Sequence, residues 1–313
     1  TREVLSDADM HIAKEAVRRM EQPLRLLVFG TDLKHAISLT NMMLGQRIMP
    51  PSLRQVHAQF GHGDMPRARV LYRDDRQEKL HGDALFGLFE DAPKRVRMTM
   101  YLPVLQKVAL RLIADQDATK LAPEVAQIVN GSDIVIWAGG GCPPDLADVW
   151  AGVPGDLQNH SYLVVPPGTE LSGWGDVPGK VMDFFEVDAR RAEGAKTRKS
   201  GVDKLAFKES GGGQVVKAVK KEIEGLTQSA NDACQVLLMR YADEVMPPPS
   251  AEAPQDADAG PLQLENPTLD KAKSQPVDEE RAHRVRRQIY TIPLGKVATR
   301  SRGLLYQDLV KRQ

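Results

Sequence analysis

The chain has 313 residues, of which 42% are apolar, and its 42 basic and 42 acidic side chains leave no net charge. That length allows one α/β domain of about 200 residues plus appendages, while zero net charge gives no general case for nucleic acid or an anionic membrane as the partner. The two cysteines, Cys142 and Cys234, share no metal or disulfide spacing, which predicts a reducing, cytoplasmic environment. No apolar run is long enough to span a bilayer and no signal peptide is recognisable, so no membrane-spanning segment is expected.

Strand and helix patterns alternate through most of the chain before residue 200. A capped helix is predicted at 6–21, and further helices at 119–130 and 143–152. Because near-continuous apolar strands that alternate with helices are typical of parallel sheets covered on both faces, the predicted fold class is α/β, a doubly wound sheet with flanking helices. Strands are predicted at 24–29, 55–60, 67–72, 96–102, 107–113, 133–138, 161–166 and 181–187.

The first strand and the segment after it have the layout of a phosphate-binding loop without its phosphate-binding residues. The strand enters Gly30, and an apolar helix pattern begins near Leu39. A strand, a tight turn and a helix together aim a helix N-terminus at a phosphate. The template G-x-x-x-x-G-K-[ST], laid from Gly30, requires a glycine, a lysine and a hydroxyl. The chain has His35, Ala36 and Ile37 at those positions.

These losses predict that nucleotide chemistry is absent. The charge-assisted hydrogen bonds of the lysine are worth roughly 1.5–3 kcal/mol each, and losing two of them weakens binding by about two to four decades. Ile37 has no oxygen with which to hold Mg²⁺. Lys34 stands two positions early and is expected to be an exposed turn residue. We therefore expect no cofactor, no metal and no enzymatic activity.

A long helix is predicted from Gln214 to about Val245. Its ordinary role is to pack on the flank of the domain, and a coiled-coil or partner interface is the alternative. The Gly211–Gly213 turn before it is expected to be a flexible helix start rather than an anion nest. The apolar residues of the helix recur at intervals of three and four, at Val216, Val219, Ile223, Leu226, Ala230, Ala233, Leu237 and Tyr241.

The last two segments differ in charge. Residues 246–276 are rich in Pro, Ala and acidic residues and poor in aromatics, which predicts a disordered linker. Residues 277–313 carry nine basic and four acidic side chains, a net charge of +5, interleaved with apolar residues. This pattern predicts a docking tail for a partner or for the chain's own body. Its candidate partner-binding residues are Tyr290, Leu304, Leu305 and Tyr306.

On these residues, about two-thirds of the chain resembles the G domain of bacterial dynamin-like GTPases, within the wider P-loop GTPase class. Members of that family read like F-G-E-F-S-x-G-K-S-x-L-I-N-x-L-L-G through the first motif, and an N-terminal helix leads into their first strand. The chain matches this motif without a gap at Phe29, Gly30, Leu39, Asn41, Leu44 and Gly45.

The resemblance continues through three further positions where the family's functional residues are missing. The switch I threonine falls best on His57, and the D-T-P-G element falls on 114–117, which reads Ala-Asp-Gln-Asp. The base-reading [NT]-K-x-D falls on a segment that begins with Pro166 and Pro167 and includes Thr169. Four lost motifs in the right order imply a degenerate GTPase, a pseudo-GTPase.

Two other groups of residues are candidates for a metal site and for a catalytic nucleophile, and neither is predicted to be functional. His57, His62 and Asp64 do not have the spacing of a standard metal-ligand set, so no metal is predicted there. Cys142 follows a strand end and three glycines, where a nucleophile can sit. No paired histidine can be assigned to it, so a surface turn is the prediction.

The sequence thus predicts a catalytically inactive GTPase-like scaffold or adaptor that binds protein partners. Candidates for the partner are a competent GTPase homologue and, by self-association, a second copy of this chain. Two alternatives remain: a dynamin-like membrane-associated assembly component that pairs with a competent GTPase, and a nucleotide sensor that binds without hydrolysis. No nucleic acid is expected, and peripheral membrane contact through the tail stays open. The predicted segments are a helix at 1–22, a degenerate G domain at 23–200, a helical extension at 201–245, the linker and the tail.

Overall fold

A computed structural model of the chain describes residues 6–50, 53–82, 93–175, 177–198 and 201–241. Nine strands and eight α-helices lie in these ranges. The strands are β1 (Leu24–Gly30), β2 (Gln55–His62), β3 (Arg67–Leu71), β4 (Gln77–His81), β5 (Arg95–Met100), β6 (Val108–Asp115), β7 (Ile134–Ala138), β8 (Ser161–Val165) and β9 (Asp183–Glu186). The helices are α1 (Asp7–Glu21), α2 (Leu33–Leu44), α3 (Ala118–Val129), α4 (Pro144–Ala151), α5 (Gly155–Gln158), α6 (Ala189–Lys196), α7 (Lys204–Glu209) and α8 (Gly212–Arg240).

The strands form one sheet in the order β4-β3-β5-β2-β6-β1-β7-β8-β9. Strands β6, β1, β7, β8 and β9 are parallel, and β2 runs antiparallel to β6. This arrangement confirms the predicted fold class, a doubly wound α/β sheet with flanking helices. The strand order turns around at β1, whose neighbours β6 and β7 both come later in the chain. Such a switch point is where open α/β sheets bind their ligands.

Apolar side chains alternate between the two faces of the sheet, as the period of a strand requires. Leu26 and Val28 of β1 belong to the core on the face that carries α2, α6 and the first half of α8. Leu27 and Phe29 belong to the core on the other face, beneath α3 and α4. The second core contains the three tryptophans, Trp137, Trp150 and Trp174, all buried.

The β4-β3-β5-β2 half of the sheet differs from the prediction of a sheet covered on both faces. Its inner face joins the first core through residues such as Val70 and Met98. On its other face, Arg69, Arg97 and Lys79 are exposed. Strand β4 was not predicted, because the sequence Gln-Glu-Lys-Leu-His contains no apolar run.

The chain divides into two compact units, one formed by Arg19–Ser229 and the other by Thr1–Arg18 with Ala230–Gln313. In the second unit, the Asp9 carboxylate accepts hydrogen bonds from Arg240 at 2.6 Å and from the Tyr241 hydroxyl at 2.7 Å. In the first unit, Val215, Val219 and Leu226 of α8 lie in the core, so this part of the helix packs on the sheet as expected. Within the described ranges, no helix has the length and apolarity needed to cross a membrane.

The Gly211–Gly213 turn is closely packed, and the prediction of a flexible helix start is wrong. Gly211 has φ +81°, and a Cβ there would lie 2.3 Å from the carbonyl oxygen of Glu186. A Cβ on Gly212 would lie 2.8 Å from both Ala192 Cβ and Met42 Sδ. Glycine is therefore needed here for close approach between elements.

Candidate functional site

The turn between β1 and α2 contains only Thr31 and Asp32, because α2 begins at Leu33. Asp32 caps the helix: its carboxylate accepts the backbone N–H of His35 at 3.0 Å. The predicted loop reaching almost to Leu39 is therefore wrong. A capping aspartate starts the helix early, and the buried Leu33 adds to its apolar face.

The vestigial phosphate-loop positions lie in the first turns of α2. Lys34 is exposed, as expected, whereas His35, Ala36 and Ile37 are buried. Burial lowers the pKa of His35, so its ring is neutral at pH 7. The N–H of Ala36 donates to the carbonyl oxygen of Asp32 at 2.9 Å. Helix geometry and the cap therefore use N–H groups that a phosphate-binding loop would leave open.

Gly30 is required by packing between strands. A Cβ at this position would lie 1.7 Å from the carbonyl oxygen of Ala138 in β7, and 2.8 Å from its carbonyl carbon. No side chain fits in that space, and the obstacle is backbone, which cannot rotate away. The glycine that begins the phosphate-loop pattern is thus explained by the approach of the β7 backbone.

Three helix N-termini at the carboxyl edge of the sheet, those of α2, α3 and α6, are capped by the chain's own carboxylates, whereas α4 has no side-chain cap. Asp117 caps α3 by accepting the N–H of Thr119 at 3.1 Å, and Asp188 caps α6 by accepting the N–H of Arg191 at 3.0 Å. Together with Asp32, three helices that follow parallel strands carry an acidic cap. Helix N-termini bind anions through open N–H groups and a positive partial charge. The caps satisfy the donors and oppose that charge.

The vestigial base-reading positions follow β8 and lie near the β7 end. A Cβ on Gly140 would lie 3.8 Å from both the Pro166 ring and Thr169 Oγ1. The Thr169 hydroxyl donates to the Pro166 carbonyl oxygen at 2.7 Å, which closes the turn on itself. Pro167 is exposed. This turn offers no carboxylate with which to read a guanine edge.

The end of β6, where the resemblance places D-T-P-G, borders a cleft of about 370 Å³ lined by Arg54, Gln55, Arg73, Asp115, Gln116, Asp117 and Lys120. The Asp117 carboxylate pairs with Lys120 at 2.8 Å. This contact is the largest of the effects that lower the pKa of Asp117 to about 2. The Asp115 carboxylate accepts the N–H of Asp117 at 2.9 Å. These carboxylates therefore have partners within the chain, and the cleft has mixed charge.

His57, the switch I position, lies within β2 rather than in a loop. The ring is 4% exposed, and its Nδ1 lies 3.2 Å from a carboxylate oxygen of Glu124. Burial, followed by the positive charges of Arg95 and Arg111, lowers the pKa of His57 to about 4. The ring is thus neutral at pH 7, so its contact with Glu124 is not an ion pair.

The other constellations do not assemble into sites. In the described ranges, no three His, Cys, Asp or Glu side chains are grouped so that they could hold a metal ion. His62 is exposed and lies against Tyr101, with ring centroids 5.7 Å apart. Cys142 borders a second cleft of about 330 Å³, and burial raises its pKa, which favours the thiol over the nucleophilic thiolate.

A buried polar network that the sequence did not predict joins α2 to α6. Glu193 accepts hydrogen bonds from Ser38 at 2.8 Å, from Asn41 at 3.0 Å and from Arg47 at 2.9 Å. The Asn41 amide oxygen also accepts the N–H of Met49 at 3.0 Å. The available signal was a serine and an asparagine among the apolar residues Ile37, Leu39 and Met42 of α2.

The four candidate partner-binding residues of the tail, Tyr290, Leu304, Leu305 and Tyr306, lie outside the described residues. All residues after 241, including the linker at 246–276 and the whole tail at 277–313, also lie outside them. Their docking role therefore stays a prediction from sequence.

No protein-family model matches the chain, and no curated protein matches it in sequence. Two solved structures of an oligomerised bacterial dynamin pair, described as a mechanism for long-range sensing and tethering of membranes, share 12% and 13% identity with it. They cover 72% and 76% of this chain, with TM-scores of 0.44 and 0.45. Era in complex with MgGDPNP and part of 16S ribosomal RNA shares 9% identity over 63% of this chain and 57% of its own, with a TM-score of 0.28. The chain spans about two fifths of the length of the dynamin structures, 39% and 40%. Its fold class rests on its own strand order.

Proposed function

We propose that this chain is a catalytically inactive, GTPase-like scaffold that binds protein partners. The observation that carries the proposal is the β1–α2 turn, where Asp32 caps a helix that begins directly at Leu33. A phosphate at this turn would have to displace the aspartate carboxylate and unwind the first turn of α2. Either change removes hydrogen bonds that the fold already makes.

The surroundings of the turn support the same proposal. Ile37 is buried and has no oxygen ligand for Mg²⁺. Acidic caps at α3 and α6 add negative charge along the same edge of the sheet, which disfavours a triphosphate by Coulomb repulsion. What remains is a sheet whose strand–helix layout serves as a surface rather than as a catalytic pocket.

Partner binding is assigned to the tail, from its sequence. The sequence predicts a disordered tether of 31 residues at 246–276, and a random coil of that length spans on the order of 30 Å. Such a tether holds the tail at a local concentration of about millimolar near its own domain and its neighbours. Arginines steer the encounter, and aromatic and leucine side chains supply the buried contacts.

Replacing Tyr290, Leu304, Leu305 and Tyr306 together by alanine in the full chain is expected to abolish recovery of the protein partner. The physical reason is the loss of the apolar anchors, while the net charge of the tail is unchanged. The measurement is affinity capture followed by identification of the partner, and a thermal melt of the variant should match the parent.

A matched control replaces Leu205 and Val202, both exposed at 67% and 48%, by alanine. This variant should retain the partner, and a non-hydrolysable GTP analogue should leave recovery unchanged. Survival of the interaction in the tail variant would assign docking to another surface. Recovery that depends on the nucleotide would favour a sensor, or a pair with a competent GTPase.

A further inference from the structure

In the described part of the chain, a row of basic side chains crosses the face of β4, β3 and β5 on which Lys79, Arg69 and Arg97 are exposed, and continues over β2 to β6. Strand pairing places Lys79 opposite Arg69, Arg69 opposite Arg97, Arg97 opposite Gln59, and Gln59 opposite Arg111. The row spans five strands, or roughly 19 Å at the usual strand spacing. Arg67 and Arg95 lie on the same face, because each precedes a cation of the row, Arg69 or Arg97, by two positions on its strand. We name these six cations the basic face: Arg67, Arg69, Lys79, Arg95, Arg97 and Arg111.

The charge of the basic face is predominantly positive, and the Glu124 carboxylate of α3 lies beside it, 3.2 Å from Nδ1 of His57. None of its six cations forms an ion pair with a carboxylate in the described part of the chain, and Arg97 instead donates to Gln59 Oε1 at 3.0 Å. Burial lowers the pKa of Arg111, and the charges of Arg97, Arg25 and Arg95 lower it further. The lowered pKa of His57 on the same face has Arg95 and Arg111 among its causes. A positive field is therefore concentrated here although the chain is neutral.

Ordinary solubility does not account for this arrangement. Charged side chains do protect sheet edges from aggregation, but mixed signs achieve that without repulsion. Like charges directly opposite each other on neighbouring strands destabilise a sheet. The cross-strand pairings of Arg69 with Lys79 and with Arg97 are of this kind. A polyanion seated across the row would turn the repulsion into attraction.

The chemistry of the face favours phosphodiesters over a bilayer. Five of the six cations are arginines, whose planar fork suits phosphate oxygens better than the point charge of lysine does. On the strands of this face no large apolar side chain is exposed, and the exposed Met65 and Tyr101 lie beyond the strand ends. Surface-bound membrane elements, by contrast, bury apolar residues among the lipids. No aromatic ring stands in the row to stack a base, so single strands lack their usual platform.

We propose that the basic face binds the sugar–phosphate backbone of a double-stranded nucleic acid without sequence preference. The row meets phosphates of the duplex, and Gln59 supplies an uncharged hydrogen-bonding group in its middle. Zero net charge argued against a nucleic-acid partner at the level of composition. In the folded protein the basic side chains are concentrated on one face of the sheet, so the net charge of the whole chain does not indicate the charge of the basic face.

The test measures binding of the full chain to short fluorescent DNA and RNA duplexes of one sequence, as a function of salt. If four cations of the row contact phosphates, log Kobs should fall with log salt with a slope of about −4. The double variant Arg69→Gln/Arg97→Gln should reduce the magnitude of that slope by about 2. A second, scrambled duplex should bind with the same affinity. Comparison of DNA with RNA tells which duplex is preferred.

The matched control is Lys217→Gln/Lys221→Gln, which removes two exposed cations from α8 and changes the net charge by the same amount. It should keep the parent's salt slope. The proposal would be overturned if both variants reduced the salt slope of duplex binding equally, or if the slope of the arginine variant were unchanged. Binding to phosphatidylserine vesicles that depends on Arg69 and Arg97, without duplex binding, would assign the face to a membrane. Thermal melts check that both variants are folded, and relief of repulsion should leave the arginine variant at least as stable as the parent.

Discussion

Replacing Glu193 by alanine is expected to lower the free energy of unfolding by about 2–4 kcal/mol, because the buried Ser38 hydroxyl and Asn41 amide each lose a charged acceptor, at about 1–3 kcal/mol each. The carboxylate is buried, and it accepts hydrogen bonds from Ser38, Asn41 and Arg47. Its removal leaves the Ser38 hydroxyl without its acceptor and a cavity between α2 and α6. Urea denaturation of the full chain measures the change.

Two further variants separate the network from a general charge effect. Glu193→Gln keeps an acceptor for Ser38 and Asn41, and it should cost less than the alanine variant. Glu224→Ala removes an exposed partner of Lys220 and should change stability by less than about 1 kcal/mol. A loss at Glu193 no larger than that at Glu224 would contradict the buried network.

Gly30→Ala is expected to lower the free energy of unfolding by about 3 kcal/mol or more, which is beyond the usual 1–3 kcal/mol for overpacking a core. A Cβ there would lie 1.7 Å from the carbonyl oxygen of Ala138, so β1 and β7 would have to separate at the centre of the sheet. The measurement is again denaturant unfolding, with soluble yield as a second readout.

Gly61→Ala is the control, because nothing lies within 4 Å of a Cβ at that strand position. This substitution should be neutral, or stabilise the protein by up to about 1 kcal/mol, since alanine lowers the entropy of the unfolded chain. If Gly30→Ala were as stable as Gly61→Ala, the close approach of β7 would be refuted.

Most of the sheet could be predicted from the sequence because its strands are short apolar runs. The runs at β1, β7 and β8 lie within one residue of their predicted bounds. These strands are buried on both faces, so their residues need no polar alternation and stand out against the flanking helices. Strand β4 alternates exposed and half-buried residues without an apolar run, which a pattern of hydrophobicity does not reveal.

The local structure of the candidate site was harder to predict, because the predicted start of α2 followed the spacing of the phosphate-loop motif rather than the local helix signals. The phosphate-loop spacing suggested a loop through Ile37, whereas the Asp32 side chain starts α2 at Leu33. An aspartate before a run that includes Leu33, Ala36 and Ile37 is itself a helix-start signal. The basic face depends on which strands pair, so its residues come together only in the folded sheet.

The most direct test of an absent phosphate site is isothermal titration of the full chain with GTP and with ATP, each in the presence of Mg²⁺. The short, capped turn predicts no binding below about millimolar, where the free energy of association is only about 4 kcal/mol. Asp32→Ser keeps a capping oxygen and removes the charge, and it should not restore binding because the turn remains too short. A micromolar dissociation constant for either nucleotide in the parent protein would contradict a GTPase-like fold without a phosphate site.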